Sequence, residues 1–69
     1  MSDFDLLHTF AVAARSGSFA AAARVLDITP AMVGRRIQSL ESRYRVRLVE
    51  RTTRAQRLTE AGEAFLLRA

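Results

Sequence analysis

The 69-residue sequence predicts a mainly α domain of winged helix-turn-helix architecture, with a three-helix core, a small two-stranded β wing and the start of a fourth helix. Three observations predict it. Two short helical patterns are joined by only three or four residues, the second is loaded with arginine, and a basic segment with alternating apolar residues follows. A chain this short supports one small domain, since it buries only about 60% of its unfolded surface. Its apolar fraction of 49% against 26% charged residues excludes a disordered polymer.

The first helix, Phe4 to about Ser16, places Leu6, Phe10, Ala13 and Ala14 on one side at helical spacing, with Leu7 and Ala11 beside them. Ser2 or Asp3 caps its start. Gly17 suits the left-handed stop after the helix, and Ser18 caps the next one. That second helix, "FAAAARVL", is rich in alanine, so other backbones can approach it closely, and Phe19, Ala22, Ala23 and Leu26 form its expected buried face.

Asp27 and Ile28 make a tight connection to Thr29, a cap residue, and to Pro30, whose missing N–H costs nothing in a first helical turn. The third helix, about 30–43, turns Val33, Ile37, Leu40 and Tyr44 inward, leaving Arg35, Gln38, Ser39 and Ser42 pointing elsewhere; Ala31, Met32 and Arg36 lie near the borders. From Arg45 the period changes. Val46, Leu48 and Val49 alternate with Arg47 and Glu50 as in a half-buried strand, and "RTTRAQ" is a polar loop returning to Arg57 and Leu58, which predicts a wing over about 46–58. Thr59 caps a last helix, with Glu60 and Glu63 at its positive end and Phe65 and Leu66 facing inward.

All eleven basic residues are arginine, and lysine is absent. Eight of them, Arg35, Arg36, Arg43, Arg45, Arg47, Arg51, Arg54 and Arg57, fall in one segment whose only acids are Glu41 and Glu50. Such clustering is the electrostatic footprint expected for phosphate backbones, and arginine's fork also matches guanine edges. An arginine-rich surface gripping an acidic protein is the competing use; placement on both a helix tip and a hairpin favours duplex DNA. Paired carboxylates, a nucleophile with its base and a glycine-rich phosphate loop are all missing, so no enzyme is expected. His8 has no second histidine, cysteine or acid cluster at ligand spacing, and neither a metal site nor a cofactor is expected. The phenylalanines sit at core spacings rather than among the arginines, unlike a single-strand stacking platform. With no cysteine, an acidic start "MSDFDLL" and no apolar run near the roughly 18 residues of a membrane span, a soluble cytoplasmic protein is the expectation.

The run "LHTFAVAARSGSFAAAARVLDITPAMVGRRIQSLESRYRVRLVERTTRAQRLTEAG" resembles the N-terminal DNA-binding domain of LysR-type transcriptional regulators of bacteria. "GSF" with the alanines after it, "RRIQSLE", "ERTTR" and "LTEAG", in this order and spacing, are its most specific pieces. The resemblance implies that the third helix enters the major groove, that the wing reaches phosphates or the minor groove, and that residues 1–58 form the DNA-binding domain. Residues 59–69 would then be the truncated start of a dimerising linker helix. Full-length relatives continue into an effector-binding domain. A homodimer or tetramer on an inverted repeat is implied for a full-length parent, and a monomer or weak dimer is expected for this chain. Departures fall at Gly34, where serine is usual, at Met32, at Tyr44 and Arg45 in place of leucine-glycine, and at Val49 in place of phenylalanine. Arg45 must therefore take whatever backbone conformation glycine normally supplies.

The expected DNA contacts start at Arg35, early in the third helix and off its inward face, able to bind guanine O6 and N7 together. Arg36 is open between a phosphate contact and an ion pair with Glu41. Thr29, Pro30 and Ala31 form a helix tip suited to a phosphate or a thymine methyl, with Thr29 also a cap. Ser18 presents the second helix's N-terminus in the same way. Gly34 lets the backbone approach DNA closely or leaves room for water. In the wing, Arg51 and Arg54 flank Thr52 and Thr53 in a geometry suited to phosphates or a narrow minor groove, with Arg54 favoured for the groove and Arg51 open to a structural role near the wing's base.

Overall fold

The computed structural model describes residues 2–51 and 56–68. In chain order the elements are α1 (Asp3–Ser16), α2 (Phe19–Leu26), α3 (Pro30–Tyr44), β1 (Val49–Arg51), β2 (Gln56–Leu58) and α4 (Glu60–Arg68). Each helix begins at a hydroxyl residue whose oxygen accepts from the N–H three positions on: Ser2 from Asp5 at 3.3 Å, Ser18 from Ala21 at 3.0 Å, Thr29 from Met32 at 3.2 Å and Thr59 from Gly62 at 3.0 Å. These bonds satisfy donors that a helix start otherwise leaves without an acceptor.

The first three helices all end on a left-handed residue, Gly17 (φ 79°), Asp27 (φ 58°) and Arg45 (φ 52°). Each returns its N–H to a carbonyl of the preceding turn, on Ala13, Ala23 and Glu41 respectively. Glycine adopts this conformation freely and aspartate tolerates it, whereas a long side chain is disfavoured there. Arg45 takes the conformation all the same, as expected of a residue standing where glycine is usual.

α1, α2 and α3 enclose one core of Leu6, Phe10, Ala13, Ala22, Ala23, Val33, Ile37 and Leu40, completed by Leu48 and Val49 from the base of the wing. Ala22 and Ala23 are the fully covered residues of α2, while Phe19 and Leu26 on the same face are only partly covered. Small side chains there let α1 and α3 close over the middle of the three-helix unit. The two strands pair antiparallel in the register Val49 with Leu58, Glu50 with Arg57 and Arg51 with Gln56.

Two expectations are corrected. Tyr44 does not enter the core: it is 46% exposed, its hydroxyl donates to Asp3 Oδ2 at 3.2 Å, and its ring meets Phe65 edge-on at 5.2 Å. As the last residue of α3 it lies past the packed interior, so the ring covers the seam with α4 and keeps its polar tip in solvent. In the wing, Leu48 and Val49 are both buried, but the strand begins only at Val49 and not with the alternation from Val46. Their N–H groups donate to Glu41 Oε2 at 2.8 and 3.3 Å. A carboxylate from α3 thus replaces a ladder partner and lets two successive side chains reach the core.

α4 is seated tightly. A side chain at Gly62 would bring its Cβ to 2.1 Å from the Leu48 carbonyl oxygen, and Thr59 both caps the helix and donates from its hydroxyl to the Arg47 carbonyl. Phe65 and Leu66, expected to face inward, are partly buried against the core.

Candidate nucleic-acid interface

Four sides of α3 are distinguished by what touches them. Val33, Ile37 and Leu40 face the core. Toward α2, the missing side chain of Gly34 leaves room that the Phe19 ring fills, at 3.4 Å from where a Cβ would stand. Toward α1, Arg36 donates to the Thr9 hydroxyl at 3.3 Å, and Arg43 forms an ion pair with Asp3. The fourth side, Ala31, Arg35, Gln38 and Ser42, follows the helical steps of four, three and four residues, and every member is exposed.

Arg35 therefore stands on the outward row as expected, with no ion pair among the described residues. Thr29, Pro30 and Ala31 are exposed at the tip of the same helix. Since Pro30 has no N–H and Met32 donates to the Thr29 hydroxyl, the Ala31 N–H is the first-turn donor without an intrahelical acceptor. Ser18 is half-buried and holds the start of α2 through its bond from Ala21.

Two residues are placed differently from the expectation. Gly34 sits beside Phe19, so the room vacated by its side chain lies between α2 and α3 and not on the outward row. Arg36 does not pair with Glu41, because five residues correspond to about 140° around a helix, which puts the two on opposite flanks. It is half-buried beside α1, with its Nε enclosed and without a hydrogen-bond partner among the described residues. The acceptor it does use, Thr9, is fully buried and donates its own hydroxyl hydrogen to the Asp5 carbonyl at 2.9 Å. Arg51 pairs with Gln56 through the strand register, while its side chain and all of Thr52, Thr53 and Arg54 lie outside the described residues.

Gln38 and Ser42 are functional candidates beyond those singled out from sequence, although the periodicity that selects the inward face also assigns them to Arg35's row. Thr9 and Glu41 carried no local signal, since each matters through a partner distant in sequence. Near the C-terminal end of α3, the hydrogen bond to Asp3, reinforced by that carboxylate's charge, raises the Tyr44 phenol above its ordinary value. Among the described residues no cluster of three or more potential metal ligands occurs, and no helix is long and apolar enough to cross a membrane.

A three-helix core, an antiparallel two-stranded wing and an exposed row carrying Arg35 on the third helix define a winged helix-turn-helix domain. The family model for the bacterial regulatory helix-turn-helix protein, lysR family, matches residues 4–63, and the chain belongs to that family. It is 45% identical over 67 residues to an uncharacterized HTH-type transcriptional regulator from the ibpB-leuC intergenic region of Azotobacter vinelandii, a match spanning 97% of this chain and 46% of the relative. Identity to the HTH-type transcriptional regulator PerR of Escherichia coli strain K12 is 42% over 62 residues, spanning 90% of this chain and 21% of that protein. The chain thus spans less than half the length of these relatives. Among solved structures, the DNA-binding domain of CbnR in complex with DNA superposes with a TM-score of 0.90 at 39% identity, over 97% of this chain and 77% of the other. The BenM DNA-binding domain in complex with catB site 1 DNA gives 0.90 at 30% identity, over 97% and 72% of the two chains.

Proposed function

We propose that this chain is the DNA-reading part of a LysR-type transcriptional regulator and binds double-stranded DNA in a sequence-specific manner. The observation that carries the reading is the outward row of α3, which holds Arg35 exposed and without an ion pair among the described residues on a fold that superposes on DNA-complexed domains at a TM-score of 0.90. In this reading α3 crosses the major groove, Arg35 takes the O6 and N7 of a guanine, and Gln38 and Ser42 carry the row toward the groove's border. The exposed tip of Thr29, Pro30 and Ala31, together with the Ser18 end of α2, meets phosphate. Gly34 and Arg36 support that face from behind, the first by admitting Phe19 and the second by tying α3 to α1. Arg51, Thr52, Thr53 and Arg54 bring the wing onto phosphates or the minor groove, where enhanced negative potential attracts arginine.

Residues 1–58 constitute the DNA-binding unit in this proposal, and 59–69 begin a linker helix through which a longer parent forms a homodimer or tetramer on an inverted repeat. The assignment of roles is tested by selecting bound duplexes from a random pool and comparing the parent with Arg35→Ala at fixed salt. The variant should lose about 1–3 kcal/mol of discrimination between the selected site and one with the contacted guanine replaced. Equal discrimination by both proteins would overturn the role of Arg35, and absence of any salt-dependent duplex binding by the parent would overturn the function.

A further inference from the structure

We infer that Arg45 and Arg47 form a second phosphate-contacting site at the C-terminal end of α3, where the outward row runs onto the DNA backbone beside the groove. This inference rests on the duplex-binding reading above.

Three observations carry it. Arg45 closes α3 at φ 52° and ψ 47°, a left-handed conformation that disfavours a long side chain. Sparsely populated backbone states that persist in a fold cluster at functional sites. Next, Arg45 and Arg47 are both exposed and lack an ion pair among the described residues. Their main chain is fixed all the same, because the Arg45 and Val46 N–H groups donate to the Glu41 carbonyl, and the Arg47 carbonyl accepts from Thr59. Two cationic heads thus project from an anchored turn. Finally, both residues line one open depression with Gln38 and Ser42, the last two members of the outward row. The acid in that depression, Glu41, is turned to the Leu48 and Val49 N–H groups.

Dimensions assign the ligand. The 15 residues of α3 extend about 22 Å at 1.5 Å per residue, whereas the major groove is about 12 Å wide. With the first turns in the groove, the far end of the helix meets the phosphate ridge at its border. Contacts there strengthen binding without reading sequence.

The experiment measures affinity of the parent, Arg45→Gly and Arg47→Gln for a selected duplex and its scrambled counterpart between about 50 and 200 mM salt, together with Tm. Arg45→Gly should fold with a Tm equal to or above the parent, because glycine suits the left-handed turn. Both variants should bind the two duplexes more weakly in equal proportion. Across that fourfold change in salt, the loss of affinity should shrink by about 3.5-fold for each contact removed, from a slope of about 0.9 per phosphate. Parent-like affinity and salt dependence in both variants, while the parent binds duplex, would overturn the second site alone and leave the function standing. A lowered Tm for Arg45→Gly with unchanged binding in both variants would do the same, marking a cation that merely stabilises the helix end. Weakening confined to the selected duplex would overturn the assignment to phosphate. A parent with no duplex affinity would remove both proposals.

Discussion

At Gly62 the backbone of α4 lies so close to the Leu48 carbonyl that an added methyl group would collide with its oxygen. Gly62→Ala should therefore destabilise the domain by about 1–3 kcal/mol or more, measured by urea denaturation, since the obstacle is main chain and cannot rotate away. A stability equal to the parent would show that α4 can shift without cost. Tyr44 offers a test by titration. Its phenol donates to Asp3, which raises its pKa above the ordinary value of 10.0. The sign follows directly: a proton held more firmly in the folded state contributes stability below pH 10, and the contribution disappears as pH rises through the folded value. Absorbance at alkaline pH should show Tyr44 ionising later than a free tyrosine, and Asp3→Asn should bring it back down; unchanged titration in Asp3→Asn would contradict the link. Single residues were unevenly legible in the sequence. Hydroxyl caps declare themselves because the acceptor lies three residues from its donor, as at Ser18 and Thr29. Gly62 does not, because the atom that excludes a side chain belongs to a residue 14 positions earlier in another element.

Among the elements, α3 depends on its flanks for its aim. The Arg36 bond to Thr9 ties it to α1, and Gly34 allows it to settle on Phe19 of α2. Thr9→Val keeps the shape of the buried side chain but removes the acceptor, leaving a half-buried guanidinium short of a partner. The expected cost is about 1–3 kcal/mol in thermal or urea denaturation, with Thr9→Ser losing less because it keeps the hydroxyl. If Thr9→Val matched the parent, the bond would be incidental. The helices were readable from their 3.6-residue period, and the wing from its turn and its paired apolar ends. The strand start was not, because Glu41 takes the Leu48 and Val49 N–H groups from across the fold and releases those residues from alternation. Tyr44 had the right spacing for the core and still failed to enter it, since periodicity assigns a side to a residue but cannot tell where the packed interior ends.

On the scale of the whole molecule, the arginine excess was plain in the sequence, and its distribution over surfaces was not. Arg36 and the exposed Arg43 are engaged by α1, whereas Arg35, Arg45 and Arg47 are exposed with no ion pair among the described residues. Contact between elements, and not charge count, makes that division. Leu67 on α4 is an apolar side chain left 88% exposed, a surface suited to helix-to-helix contact. Nine residues of α4 are too few for a strong interface by themselves. Sedimentation of the 69-residue chain at low micromolar concentration should report a monomer or weak dimer, and a tight dimer would contradict this assignment.

The central claim, that the outward row of α3 lies in the major groove with Arg35 on a guanine, is tested most directly by methylation interference on a selected duplex. Dimethyl sulfate marks guanine N7 in the major groove and adenine N3 in the minor groove. Methylation of one guanine N7 within the site should block the parent, and the same mark should lose its effect on Arg35→Ala. Interference confined to adenine N3, or a guanine pattern identical in parent and variant, would contradict the claim.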